Sequence, residues 1–310
     1  MKSANYWVCV LTRNGAQTLG KTLASILAQS SQPELVVVVD DGSTDNTLSI
    51  VESFRTAWSR PIEILGLKST RYDIRRVPVN INRCYSRVER MKHKFNYSMI
   101  SGDDCVYPRN YSKTLLRIME NEPSLAVSSG DWNLSVRGSG DVLNRRAPQG
   151  SGRFIRDSFW EQVGRRYPVV YGWESWVLFK ALMLGYRTAN FTDLHFDHLR
   201  ALGSRHKFKH WGIEMRTLGY HPLFALLRLA RNLVIQHEPI SRVGNLLMLI
   251  YYLFPQLYRN DPYFRYFEND LRYFVRGRQL YSILKKARSP WLQSILSGVW
   301  KVFERAYPIT

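Results

Sequence analysis

The sequence predicts an α/β fold with a mostly parallel sheet, and three features of the first forty residues predict it. Residues 6–12 are a near-continuous apolar run, typical of a strand buried on both faces. Residues 34–39 are a second such run, and Thr18 is placed to cap a helix between the two. That helix carries apolar side chains at helical spacing, at Leu19, Leu23, Ile26 and Leu27. The arrangement predicts a βαβ unit with parallel strands.

The alternation of strands and helices continues downstream. Apolar runs predict further strands at 62–67, 97–100 and 125–129, with helices at 80–92 and 111–119. A chain of 310 residues with 45% hydrophobic residues can bury a large core, which excludes a disordered tail. The length allows one large α/β domain with an appendage, or two domains.

Charge and cysteine content restrict the partners and the compartment. The net charge of +19 indicates an anionic partner, which could be nucleic acid, an acidic membrane surface or a phosphorylated substrate. Cys9, Cys84 and Cys105 lack the spacing of a metal site or a disulfide framework, which favours a reducing compartment. We expect no signal peptide, because a strand pattern begins at Tyr6 without a basic and then apolar leader.

Pairs of aspartates follow two of the predicted strands. Asp40 and Asp41 end the second strand, and Asp103 and Asp104 follow the strand at 97–100. Ligands of open α/β sheets bind beyond the carboxyl ends of the strands, where these carboxylates could accept hydrogen bonds from a base or ribose, or hold a divalent cation. The alternative for each pair is a turn with solvated or capping aspartates.

Three motifs in order resemble those of the family 2 inverting glycosyltransferases. They are Val-Leu-Thr-Arg-Asn-Gly at 10–15, Val-Val-Val-Asp-Asp-Gly-Ser-Thr-Asp at 37–45, and Ser-Gly-Asp-Asp at 101–104. The resemblance spans about residues 6–190. It implies a Rossmann-like GT-A domain that binds a nucleotide-diphospho-sugar together with Mg²⁺ or Mn²⁺.

The resemblance also implies roles for single residues. Thr12, Asn14, Asp40 and Asp41 would face the donor nucleotide. Asp103 falls on the second acid of the family's Asp-x-Asp element and would bind both donor and metal.

The first acid of that element is replaced by Ser101, which is a departure from the family pattern. Asp104 could compensate, or one carboxylate could suffice together with water and diphosphate. After the last core strand, His198 could complete the metal shell, and Arg200 could bind the donor diphosphate.

The second half of the predicted domain offers an acceptor site and a catalytic base. Glu174 corresponds to one acid of a family pair whose partner is replaced by Ser175, so Glu174 would take the proton of the acceptor hydroxyl. The alternative is a carboxylate that stabilises a helix N-terminus, and an acceptor that is already an anionic phosphate would need no base. Gly152, Arg156 and Trp173 are the candidate acceptor-binding residues.

The C-terminal region, 199–310, is predicted to associate with a membrane, after a catalytic domain at 1–198. It holds 18 Lys and Arg against 6 Asp and Glu, interleaved with apolar and aromatic residues. Amphipathic helices of this kind suit the membrane interface, here the cytoplasmic face of the cell membrane as a peripheral or monotopic protein. The alternatives are a helical appendage with a solvated basic face, or a nucleic-acid surface, although no nucleic-acid motif is visible.

These observations predict an inverting, metal-dependent glycosyltransferase. It would move a sugar from GDP-mannose, UDP-glucose or UDP-N-acetylglucosamine to a polyprenyl or dolichyl phosphate or diphosphate-saccharide, as in the assembly of glycan or N-glycan precursors. The alternative is a non-catalytic basic module on a degenerate scaffold that binds membrane or nucleic acid, which the serines at 101 and 175 would explain. A soluble transferase whose tail binds a protein is a third hypothesis.

Overall fold

The computed structural model of the chain describes residues 4–68, 73–132, 147–200, 208–234 and 242–286. These residues belong to two compact units. The first joins residues 1–169 to 187–202, and the second joins 170–186 to 203–310. The division into a catalytic domain at 1–198 and a membrane-associating region at 199–310 stays a prediction, parts of which lie outside the described residues.

The first unit contains a mixed sheet of eight described strands. In chain order they are β1 (Tyr6–Thr12), β2 (Leu35–Asp40), β3 (Ile62–Gly66), β4 (Tyr97–Gly102), β5 (Cys105–Val106), β6 (Leu125–Trp132), β7 (Arg153–Arg156) and β8 (Arg187–His198). Their order in the sheet is β3-β2-β1-β4-β7-β6-β8-β5. The predicted α/β fold is therefore confirmed.

Helices alternate with these strands in the first unit and make up most of the second. The first unit holds α1 (Leu19–Leu27), α2 (Thr47–Ala57), α3 (Val77–Arg90), α4 (Tyr111–Asn121) and α5 (Asp157–Gln162). The second unit holds α6 (Trp173–Met183), α7 (Phe208–Thr217), α8 (Pro222–Val234), α9 (Arg242–Leu253) and α10 (Asn269–Lys286). Short 3₁₀ turns lie at Ile74–Arg76 and Pro255–Leu257.

The pairing of the strands brings three carboxyl ends to one edge of the sheet. Strand β1 pairs in parallel with β2 and with β4, as the βαβ pattern predicts, and β2 pairs in parallel with β3. Thr12 lies opposite Asp40, and Leu11 lies opposite Gly102, so the aspartates that follow β2 and β4 meet beside the end of β1. The sheet is mixed because β7 is antiparallel to both of its neighbours and β5 is antiparallel to β8.

The burial of β1 and β2 in the core explains why their sequences are continuous apolar runs. Val8 and Val10 of β1 and Val36 and Val38 of β2 are fully buried, in one cluster with side chains of α1 and α4. All three cysteines are free and buried, as expected for small core residues. The burial of both faces of the central strands therefore produces continuous rather than alternating hydrophobicity.

The second unit is built on packing between helices. Helix α9 packs against α7 and α8, around a buried cluster that includes Met215, Ala225, Met248 and Tyr252. Gly212 of α7 allows a close approach, because an added Cβ there would lie 2.2 Å from the carbonyl oxygen of Met248. No helix in the described part of the chain combines the length and the hydropathy that a membrane span requires.

Candidate active site

Asp103 is a buried carboxylate at the carboxyl edge of the sheet. It is 5% exposed, and its Oδ2 accepts a hydrogen bond of 2.7 Å from the hydroxyl of Thr12. Its Oδ1 accepts a hydrogen bond of 2.8 Å from the guanidinium of Arg200. Burial raises the pKa of the Asp103 carboxyl above its usual value, while Thr12 and the charge of Arg200 act in the opposite direction. The carboxyl group is thus held in place by Thr12 and paired with the guanidinium of Arg200.

Arg200 connects the segment after β8 to the ends of β1 and β4. Besides Asp103, its guanidinium donates to the hydroxyl of Thr18 at 3.0 Å and lies 3.8 Å from Oδ2 of Asp104. Thr18 does occupy the N-cap position of α1, but the predicted capping bond is wrong, because its side chain makes no cap hydrogen bond. Its hydroxyl instead helps to hold Arg200.

A second cluster lies beside Asp103 and consists of Asp104, Cys105 and His198. One ligand-type atom from each lies within 4.8 Å of the others, and Nε2 of His198 is 3.6 Å from Oδ1 of Asp104. The pairing of Cys105 with His198 across β5 and β8 produces this arrangement. Nδ1 of His198 donates to the carbonyl of Arg200 at 2.7 Å, so a neutral ring keeps its lone pair on Nε2.

The donor set of this cluster fits a divalent cation. Carboxylate and imidazole are ligands that Mn²⁺-type sites accept, and Asp104 and His198 present both. The Cys105 thiol donates to Oδ1 of Asp104 at 3.7 Å, and burial raises its pKa, so it supports the carboxylate as a thiol. Two of the three predicted metal ligands thus lie together, whereas Asp103 is engaged by Arg200 and Thr12.

Ser101, which replaces a family acid, belongs to the core rather than to this cluster. It is almost fully buried, its hydroxyl donates to the carbonyl of Gly102, and it shares a 2.8 Å hydrogen bond with the hydroxyl of Tyr107. A carboxylate in this position would have to be desolvated beside a tyrosine. The serine is therefore matched to its surroundings, and Asp104 is the carboxylate that faces the cluster.

Hydrogen bonds connect the loops that follow β1 and β2, near Asp41. The Asp41 carboxylate pairs with Arg76 at 2.5 Å, and Arg13 donates to the Asp41 carbonyl. Asn14 has a positive φ of 50°, and its Oδ1 accepts a hydrogen bond from the backbone of Thr44 at 2.8 Å. These contacts connect the loops that carry Asn14 and Asp41, two of the residues predicted to face the nucleotide.

Asp40 has a more local set of partners. Its carboxylate accepts hydrogen bonds from the backbone N–H of Ser43 at 3.2 Å and from the Ser43 hydroxyl. This is the turn-forming alternative considered for the aspartate pair. Asp45 similarly accepts hydrogen bonds from the backbone N–H of Thr47, the first residue of α2, and from that of Ala16 in the loop after β1. A donor-binding role for Asp40 stays a prediction.

Gly15 allows the loop after β1 to approach Asp103. An added Cβ would lie 2.3 Å from Oδ2 of Asp103 and 2.4 Å from Oγ1 of Thr12.

We expect Gly15→Ala to lower the free energy of unfolding by about 1–3 kcal/mol and to displace the Asp103 carboxylate. The control is Gly20→Ala in α1, where the nearest atom would be 3.8 Å away, and this change should keep or raise stability. Urea unfolding of both variants measures the difference, and equal stabilities would contradict the close approach.

Two of the predicted acceptor residues lie on or next to β7. Gly152 has a positive φ of 71°, and its carbonyl accepts a hydrogen bond of 2.8 Å from the hydroxyl of Tyr111. Arg156 lies opposite Tyr97, at the edge of the sheet away from the ends of β1 and β4. Its guanidinium donates to the carbonyls of Leu125, Met119 and Glu122. These contacts give Arg156 partners at that edge, and an acceptor-binding role for it stays a prediction.

The remaining predicted residues belong to the second unit, at the start of α6. Trp173 is the first residue of this helix, and Glu174 lies in its first turn. The helix begins after Gly172, whose φ of 89° favours glycine. The hydroxyl of Ser175 donates to the carboxylate of Glu214 on α7. A second acid therefore accompanies Glu174 from another helix.

Three residues of these clusters were not predicted from the sequence: Cys105, Trp132 and Glu214. Glu214 lies 39 residues beyond Ser175, and no local pattern connects them. Cys105 and Trp132 join His198 only through strand pairing, and the Trp132 ring meets the His198 ring edge-on at 5.9 Å. The only sequence feature that could have indicated Glu214 is its position as an acidic residue on a helix that follows the last strand of the sheet.

The sequence model of glycosyl transferase family 2 matches residues 7–140. Residues 7–140 therefore form a family 2 glycosyltransferase domain. It is similar to the putative glycosyltransferase EpsE of Bacillus subtilis (strain 168), with 27% identity over 118 residues. That match covers 38% of this chain and 39% of the relative, so it spans about two fifths of the relative's length.

Solved structures share the fold of the glycosyltransferase domain and its helical unit. One is the mannosyltransferase PcManGT from Pyrobaculum calidifontis in complex with GDP-Man and Mn²⁺, with a TM-score of 0.52 and 18% identity over 96% of this chain and 80% of that one. Another is S. aureus TarS 1–349 in complex with UDP, with a TM-score of 0.54 and 16% identity over 93% and 86%. The GT-A fold expected from the motifs is therefore confirmed.

Proposed function

We propose that this chain is an inverting glycosyltransferase that uses a nucleotide-diphospho-sugar and a lipid-linked acceptor. The observation that carries the proposal is Asp103, a buried carboxylate held by Thr12 and Arg200 at the carboxyl edge of the sheet. Asp103 and Thr12 lie within residues 7–140, which the family model matches. Asp41 and Asn14, on the neighbouring loops after β2 and β1, would provide the surface for the nucleotide.

In the proposed reaction, Glu174 accepts the proton of an acceptor hydroxyl. The hydroxyl oxygen forms a bond to the anomeric carbon while the bond from that carbon to the phosphate oxygen breaks. The nucleoside diphosphate leaves with the electron pair, and one displacement inverts the anomeric configuration. Arg200 offers two guanidinium N–H groups for the charge that develops on the leaving oxygen.

Asp104 and His198 are the residues proposed to hold a divalent metal, and Asp103 would join them if Arg200 turned towards the diphosphate. A bound Mg²⁺ or Mn²⁺ supplies positive charge that neutralises the diphosphate. The Mn²⁺ and GDP-Man of the PcManGT complex support a metal and a guanosine donor, whereas the TarS complexes with UDP and UDP-GlcNAc support a uridine donor. GDP-mannose and UDP-N-acetylglucosamine are therefore the first donors to test.

Membrane association is proposed from the exposed apolar side chains of α8, α9 and the turn that follows. Their exposed fractions run from 39% to 68%, and their spacing places them on one side of each helix. We call this set the apolar face: Leu223, Leu226, Leu227, Val243, Leu246, Leu247, Leu253, Phe254 and Leu257. Exposed apolar residues beside an excess of basic ones are typical of helices that lie in a membrane interface, here proposed to be the cytoplasmic one.

We expect replacement of Leu226, Leu246 and Leu257 by serine to weaken binding to anionic lipid vesicles at least about tenfold. Each leucine that enters the interface contributes up to about 1.5–3 kcal/mol, so three removals should show clearly in co-sedimentation. The matched control replaces Leu48, Leu184 and Val169, which have similar exposed fractions outside the apolar face. Equal losses in the two triple variants would contradict the proposed orientation.

Transfer itself is tested by incubating the chain with each labelled nucleotide-sugar, Mn²⁺ and a polyprenyl phosphate or polyprenyl-diphosphate saccharide. The expected product is one glycolipid with an anomeric configuration opposite to that of the donor, read from the proton coupling constant by NMR. Donor binding without transfer to any acceptor would instead favour the non-catalytic module. A product with retained configuration would contradict the single displacement.

A further inference from the structure

The second unit contains a small cavity that neither the donor site nor the proposed base uses. Its volume is about 240 Å³, which suits one headgroup-sized polar group better than a whole nucleotide-sugar. Three tyrosines form part of its wall, Tyr171, Tyr251 and Tyr258, and the rings of the last two stack with centroids 5.9 Å apart. The cavity lies among residues of α7, α9 and the segment after α9.

The charges that line the cavity favour an anion. Lys209 and Arg259 both line it, and neither forms an ion pair within the part of the chain that the structure describes. The one acid of the lining is Asp261, which accepts hydrogen bonds from the Tyr171 hydroxyl at 2.8 Å and from the backbone of Tyr263 at 2.9 Å. Two cations therefore face the cavity against one carboxylate that already has partners.

Tyr258 gives the cavity an unused hydrogen-bonding group. The residue is 7% exposed, and its hydroxyl has no hydrogen-bond partner among the described residues. Buried hydroxyls in folded proteins nearly always have a partner, which can be a ligand. An oxyanion in the cavity would supply the acceptor that this hydroxyl lacks.

The cavity is continuous with the apolar face. Leu257 belongs to both, and it is 57% exposed while it lines the cavity. Phe254, three residues earlier, is 53% exposed. A ligand with an anionic end and a hydrocarbon end would match the two cations and these two apolar side chains at once.

We propose that this cavity binds the phosphate of a membrane-lipid headgroup, with the lipid chain against the apolar face. Lys209 and Arg259 would pair with the phosphate oxygens, and the Tyr258 hydroxyl would donate to one of them. The inference rests on the proposed membrane association and is independent of glycosyl transfer.

Co-sedimentation with phosphatidylcholine vesicles that contain phosphatidic acid tests the inference. We expect Lys209→Gln with Arg259→Gln to weaken vesicle binding by about thirtyfold. Tyr258→Phe, which removes only the hydroxyl, should weaken it by about tenfold. The charge-matched control is Lys113→Gln with Arg117→Gln on α4, two exposed residues for which we expect less than about a twofold change.

Three outcomes would overturn the assignment of a lipid headgroup. The first is an equal loss in the cavity and control charge variants, which would indicate non-specific attraction. The second is a rise in melting temperature with inorganic phosphate that Tyr258→Phe abolishes, without any effect of that variant on vesicle binding, which would indicate free phosphate. The third is no vesicle binding by the unaltered chain. Nucleotide-induced stabilisation, measured in parallel, reports on the donor site separately.

Discussion

Asp103→Asn is expected to reduce kcat/KM for glycosyl transfer by about 100- to 1,000-fold. The amide keeps the shape of the side chain and can still accept a hydrogen bond from Thr12, so the variant should fold. It removes the carboxylate that pairs with Arg200 and that the donor site requires. A 100- to 1,000-fold loss of kcat/KM is about the size of effect seen when an enzyme loses one preorganised electrostatic group. Steady-state kinetics with the donor identified in the transfer assay gives the ratio.

The control for this variant is Asp193→Asn on β8. Asp193 is an exposed aspartate of the same unit and belongs to neither carboxylate cluster. Its replacement changes the net charge by the same amount, and we expect turnover within about twofold of that of the unaltered chain. Turnover of Asp103→Asn at the level of this control would contradict the role given to Asp103.

With a polyprenyl-diphosphate saccharide, whose acceptor group is a hydroxyl, Glu174→Gln is expected to lower kcat by about 100- to 10,000-fold while donor binding stays unchanged. Glutamine keeps the size of the side chain but cannot take the proton of the acceptor hydroxyl, and general base catalysis contributes a factor of this size. Single-turnover kinetics together with nucleotide titration separates the chemical step from binding. The position of Glu174 in the first turn of α6 alone would predict only a small loss of helix stability.

Glu214 is the alternative candidate for the catalytic base, and Glu268 provides the control. Its carboxylate accepts the hydrogen bond of the Ser175 hydroxyl, so it is the other acid available beside this helix turn. Glu268→Gln removes an acid that pairs with Lys180 of α6 at 2.6 Å and should leave kcat unchanged. If Glu214→Gln lost turnover while Glu174→Gln kept it, the base would be Glu214.

Much of the secondary structure of the first unit could be predicted, because it depends on patterns of neighbouring residues in the sequence. The apolar runs of β1 and β2 reflect burial on both faces, and the parallel βαβ connection follows from the handedness of such units. The placement of Thr12 and Asp103 at one edge of the sheet follows from the parallel pairing of β1 and β4, whereas the hydrogen bond between them was not predicted.

The contacts that complete the site could not be predicted, because they join segments that are far apart in sequence. Arg200 reaches Asp103 across 97 positions, and His198 reaches Asp104 only because β5 pairs with β8. The partners of Arg156 depend on the antiparallel insertion of β7 between β4 and β6, which has no signature in its four residues. Register between distant strands is set by tertiary packing, which local pattern does not encode.

The central claim is a nucleotide site built around Asp103, and ligand-induced stabilisation tests it most directly. The melting temperature of the chain would be measured with GDP and with UDP, each with and without Mn²⁺, and repeated for Asp103→Asn. A ligand that binds the native state raises the melting temperature by mass action, so we expect a Mn²⁺-dependent rise with one nucleotide that the variant loses. No rise with either nucleotide, or an equal rise in the variant, would contradict the claim.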